Sequence, residues 1–182
     1  MKEKRKARIK KICYTALFTA LSVVANIFTL YFGVNSSNAV SFNYTVCFLG
    51  GAILGPIWGF LVGACGDALG WLVNSTGGAF NPAVTVVSGL IGVISGLVFM
   101  IAKKKGTDKK GKLIVLTIIS YLFILLICTN LNTISMYYYY MSAKYSFWAY
   151  YVIRMPKQII FWAINLAISA VVVIPIKKLV KI

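Results

Sequence analysis

The chain has 182 residues, 60% of them hydrophobic, and a mean hydropathy of +0.85. No ordinary soluble domain approaches that value, so one integral membrane domain over 1–182 is expected, with no room for an attached soluble enzyme. Nineteen basic residues face three acidic ones, yet their placement argues against nucleic acid: they crowd beside apolar spans, as the lysines and arginines of cytoplasmic loops do.

Seven basic residues fall in 2–11, six in 103–112 and three in 177–181. The first cluster runs into an apolar stretch of about the 20 residues that a spanning helix needs, with no small-residue cleavage pattern after it, so a cleaved signal peptide is not expected. The four cysteines (Cys13, Cys47, Cys65 and Cys128) stand singly among apolar neighbours, and there is no histidine. They read as small packing residues; no metal ligand set and no cofactor are expected.

Helix one is expected over 12–31. Thr15, Ala16, Thr19, Ala20 and Ser22 give it a small-residue face. Such a face packs within this protein or docks a partner subunit. The segment FGVNSSNAVSF (32–42) is polar and reads as an outer loop, long enough for a lid or binding role. The apolar run that follows is too long for one helix, and Gly55-Pro56 divides it into helices over 43–54 and 56–73. The first of these is short for a full span. Gly51, Gly55, Gly59 and Gly63 recur every four residues, with Gly66 and Gly70 on another face, a spacing that permits close contact between membrane helices.

The third helix carries Asp67, the only acidic residue at membrane depth. A carboxylate there costs on the order of 2.5–3.5 kcal/mol on insertion scales, so it needs a partner or a water-filled cavity. Two readings stand. Asp67 pairs locally and holds helices together, or it lines a cavity for a polar small molecule with Trp71, Asn74 and Asn81 nearby. The loop NSTGGAF (74–80) includes Asn74-Ser75-Thr76, a formal glycosylation triplet of little weight. Helix four is expected over 82–102, with Asn81 as cap and Pro82 in the first turn.

Helix five is expected over 113–137. It ends in Asn130, Asn132, Thr133 and Ser135 and then in tyrosines 137–140, the aromatics of a membrane interface. Helix six is expected over 148–178 with a break or bend at Pro156. Arg154, Gln158, Phe161 or Trp162, and Asn165 fall on one of its faces, with Lys157 beside them. Six spans put both termini and the basic 103–112 loop on the cytoplasmic side. Lys144, Arg154 and Lys157 then remain outside, against the positive-inside trend. They reach lipid headgroups by snorkelling, or they serve an anionic ligand.

In order and spacing, ALFTALSVVA on helix one, GGAILGPIWGFLVGACGDALG across helices two and three, GAFNPAVT entering helix four and RMPKQ on helix six resemble the substrate-binding S components of energy-coupling factor (ECF) vitamin importers, in their folate-selective branch. The resemblance covers nearly the whole chain. It implies an all-α membrane bundle of six transmembrane helices in a prokaryotic plasma membrane that captures folate from outside. It also implies association, through Ala16 and Ala20, with a transmembrane coupling protein and two ATPases. The chain itself has no G-x-x-x-x-G-K-[ST] phosphate loop, so ATP hydrolysis is expected in the partners and no enzyme is expected here. The candidate folate-binding residues are Asp67 and Asn81 for the pterin's donors, Trp71 for its ring, and Arg154, Lys157 and Gln158 for the anionic glutamate tail. An S component for riboflavin or pantothenate is the nearer alternative. NPAVT also resembles an aquaporin box, but Asn81-Pro82 is the only Asn-Pro pair, whereas a water channel needs two in inverted halves.

Overall fold

The computed structural model describes residues 2–27, 30–31, 39–73, 79–103 and 110–179. Six helices carry the fold: α1 (Lys2–Ile27), α2 (Asn43–Leu54), α3 (Pro56–Val73), α4 (Pro82–Lys103), α5 (Lys110–Met136) and α6 (Phe147–Leu179). Between α1 and α2, β1 (Leu30–Tyr31) and β2 (Ala39–Val40) pair antiparallel, Leu30 opposite Val40. Residues 32–38 of the expected 32–42 loop, the Asn74 triplet and residues 104–109 lie outside the described residues.

Three elements differ from the sequence expectation. α1 starts at Lys2, because Lys, Glu, Arg and Ala favour helix and nothing in 2–11 breaks it; it ends at Ile27, and Leu30–Tyr31 is strand instead. α5 closes in a π-helical turn, Tyr137–Met141. α6 runs unbroken through Pro156 and Pro175, so of the expected break or bend at Pro156 there is no break. Each proline lacks an N–H and leaves the carbonyl four residues earlier without its helical donor, a loss the long helix absorbs.

Four helices are long and apolar enough to cross a membrane among the described residues: α3, α4, α5 with its π turn, and α6. Their outward residues are apolar, among them Leu122, Leu126, Val152, Ile160 and Val171, as a lipid-facing surface requires. α2 is different. Its 12 residues reach about 18 Å, short of a hydrocarbon core of about 30 Å, and nearly all of them are buried. It is the central strut, packed by α1, α3, α4 and α6. Fully buried Phe48 meets Phe99 edge-on at 5.9 Å and Tyr121 at 4.9 Å between ring centroids.

One residue joins α2 to α3. Gly55 has φ of 99°, a conformation that disfavours any side chain, and Pro56 begins the next helix where its missing N–H costs nothing. α3 then crosses α4 at backbone contact. A Cβ on Gly92 would overlap the Gly59 carbonyl, and one on Gly59 would sit 2.5 Å from the Gly51 Cα. The glycine spacing thus brings α2, α3 and α4 together and sets Asp67 against α4.

Candidate functional site

Asp67 takes hydrogen bonds from the Thr85 hydroxyl at 2.7 Å and the Ser88 hydroxyl at 3.3 Å, both on α4. Among the described residues no cation pairs with it. It also lines a cavity of about 180 Å³. Hydroxyl donors stabilise its charge without neutralising it, which leaves acceptor capacity facing the cavity.

Trp71 lies one turn beyond Asp67. Its ring is tilted against Phe80 with centroids 5.2 Å apart, and both rings line the cavity. Asn81 is buried there as well. Its Oδ1 accepts the Ala83 backbone N–H at 3.1 Å, capping α4, and its Nδ2 donates to the Ser135 hydroxyl at 2.8 Å. The start of α4 is therefore tied to α5. α1 closes another side through Asn26, which donates to the Gly66 carbonyl at 3.1 Å. The π turn closes the far side, where the Tyr140 hydroxyl donates to the Ala79 carbonyl. Such turns recur at functional sites because they widen a helix locally.

The second polar region is the buried face of α6: Tyr150, Arg154, Gln158, Trp162, Asn165 and Ser169. Steps of four and three residues keep them in line. Arg154, only 6% exposed, donates from Nη1 to the Tyr150 hydroxyl at 2.5 Å, with its guanidinium 5.6 Å from the centre of that ring. Asn165 accepts from the Thr45 hydroxyl at 2.7 Å and fastens α6 to α2. Among the described residues, four buried side-chain atoms have no partner: Thr129 Oγ1, Asn132 Oδ1, Arg154 Nε and Trp162 Nε1. All belong to α5 and α6. Each such orphan costs about 1–3 kcal/mol, more if charged.

Asp67, Trp71 and Asn81 are thus gathered on one cavity. Arg154 and Gln158 lie on the neighbouring face of α6 and do not line it. Lys157 is exposed: it precedes buried Gln158 by one residue, about 100° of helical rotation, which turns it away from the buried face. Ala16 and Ala20 are exposed on α1, whose inward residues include Phe18 and Ser22; their side of α1 is not packed inside the described bundle. The sequence reading missed Asn43, Tyr44, Phe80 and Tyr140 as cavity residues. Tyr140 was assigned to an interfacial belt, and nothing in the sequence signals that the π turn rotates it inward. Trp162 was one of two choices for its helical position, and the structure selects it: Trp162 is buried and Phe161 is half-buried.

The family described as "ECF-type riboflavin transporter, S component" has a sequence model that matches residues 6–181. No curated protein matches. Among solved structures, the crystal structure of FolT bound with folic acid is similar in fold, with a TM-score of 0.63 over 88% of this chain and 90% of that chain, at 24% sequence identity.

Proposed function

The chain belongs to the family of ECF-type riboflavin transporter S components, and within that family we propose that it captures folate and hands it to an ATP-driven import module. Membership makes it a vitamin-binding transporter subunit rather than an enzyme or a water channel. The proposal adds six membrane crossings with cytoplasmic termini, a prokaryotic plasma membrane, a transmembrane coupling protein and two ATPases as partners.

One observation favours folate over the riboflavin of the family's name. Arg154 is buried with an unpaired Nε, and no acidic side chain pairs with it among the described residues. A buried guanidinium calls for an anion. Riboflavin is uncharged, whereas folate ends in a glutamate dianion. In this reading the pterin's donor edge meets Asp67, its ring lies against Trp71 and Asn81 fixes its orientation. Arg154 and Gln158 take the tail, and exposed Lys157 draws the anion toward the site. The fold shared with a folate-bound protein agrees with this reading.

Reconstituted vesicles test it. The chain alone should bind labelled folate without accumulating it, and accumulation should appear only with the ATPase module and ATP. Passive folate or water flux through the chain alone would contradict the proposal. Arg154→Ala should weaken folate binding roughly 10- to 100-fold, the worth of one charge-assisted hydrogen bond, and leave a bare pterin within about threefold. Paired calorimetric titrations read the difference, and equal losses would remove Arg154 from the tail site. Replacing both Ala16 and Ala20 with phenylalanine should hold folate affinity within about twofold while abolishing co-purification with the module, since bulk on a small-residue face blocks close helix approach. Retained co-purification would remove this face from the interface.

A further inference from the structure

The Asp67 cavity and the polar face of α6 meet at one side chain. Tyr44 lines the cavity, and its ring stacks on Trp162 with centroids 5.1 Å apart and planes 22° from parallel. Among the described residues, its hydroxyl accepts one long bond, 3.5 Å, from Asn132 Nδ2. It lies within electrostatic reach of both Asp67 and Arg154. Two residues that Tyr44 touches, Asn132 and Trp162, each carry an unpartnered atom. Arg154 Nε and Thr129 Oγ1 complete the set, two turns along α6 from Trp162 and one turn along α5 from Asn132, and these four residues are only 2–7% exposed.

Two donors and two acceptors buried without partners are a polar site awaiting its complement. The open cavity, about 180 Å³, is smaller than the roughly 300–1,000 Å³ that drug-sized ligands occupy. It accommodates a fused heteroaromatic ring and not a whole folate. The Tyr44 ring stands between it and two of the unpartnered groups, touching the cavity on one hand and Trp162 and Asn132 on the other.

We infer that Tyr44 is the specificity-determining residue of the site: a movable aromatic partition, displaced by a long ligand whose ring stays at Asp67 while its anionic end reaches Arg154 and Trp162, and left in place by a compact ring. The inference rests on the folate reading. The ligand's carboxylate oxygens accept from Arg154 Nε and Trp162 Nε1, an amide N–H of the linker supplies Asn132 Oδ1 or Thr129 Oγ1, and the ligand's aryl group replaces Tyr44 on Trp162.

Calorimetric titration of folate and of bare pterin tests it in the detergent-solubilised full chain. Tyr44→Ala removes the partition and should raise the folate-to-pterin affinity ratio by up to about tenfold, the scale of one lost aromatic stack. Tyr44→Trp enlarges the partition and should lower the ratio. A ratio unchanged within twofold in both variants would overturn the partition. Stopped-flow association on the unmodified chain needs no variant: folate should associate about tenfold more slowly than pterin, because the same stack must open first, and equal rates would overturn the inference. Failure of the unmodified chain to bind either ligand would instead sink the folate reading, so the two failures are distinguishable. An unchanged ratio with folate still bound would mean that water satisfies the orphaned groups.

Discussion

Asp67→Asn is expected to weaken folate and bare pterin alike by at least roughly 100-fold, through the loss of charge-assisted hydrogen bonds worth about 1.5–3 kcal/mol each. The carboxylate faces the cavity with acceptor capacity because its partners in the protein, Thr85 and Ser88, are both donors. An amide in its place would turn an N–H₂ group toward a ring edge that itself donates. Stability should change little, since one hydroxyl still donates to the remaining oxygen and the other can turn to accept from the amide N–H₂. The local-pairing reading of Asp67 predicts the reverse: a lower melting temperature with binding intact. Calorimetric titration and thermal unfolding on the same preparation separate the two.

Gly92→Leu is expected to abolish the folded state. The obstruction that a side chain at this position meets is the Gly59 carbonyl on α3, which is backbone and cannot rotate aside. Overpacking against flexible side chains typically costs about 1–3 kcal/mol, and against a fixed backbone more. Native stabilities of about 5–15 kcal/mol leave little margin for that. The readout is a monodisperse peak in size exclusion and a cooperative melt. Gly111→Leu is the control, because a Cβ there meets nothing within 4 Å. A Gly92→Leu protein with an unchanged melt would mean that the α3–α4 crossing is not the packing centre described here.

The sequence was legible where a residue's chemistry leaves few choices. Pro56 and Pro82 start helices because proline is favoured in the first turn, where its missing N–H costs nothing, and glycines at four-residue spacing mark the crossing of α2, α3 and α4. Charge was legible less well. The basic residues of 2–11 were set apart from helix one, but Lys, Glu and Arg propagate a helix as readily as they flank a membrane, and α1 begins at Lys2. Pro156 does not break α6, since a 33-residue helix retains enough hydrogen bonds to pass through two prolines.

The candidate site divides along the same lines. Asp67 stood out because a carboxylate in hydrocarbon demands a reason. Arg154 and Lys157 were placed side by side on α6, and burial divides them: Arg154 is buried and Lys157, at the edge of that face, is exposed. Tyr44 was invisible because an aromatic near the start of an apolar helix is ordinary in any membrane chain. Its position between the Asp67 cavity and the α6 face depends on how α2 is threaded through the bundle, which only the packing of α1, α3, α4 and α6 around it determines. Tyr140 depends on the register shift of a π turn, for which the run YYYYM gives no sign.

The most direct measurement is a calorimetric titration of the purified, detergent-solubilised chain with folate, and with riboflavin and pantothenate in parallel. The account predicts saturable one-to-one binding of folate, lost in Asp67→Asn, with neither of the other vitamins bound. Saturable binding of riboflavin by a folded sample that ignores folate would contradict it.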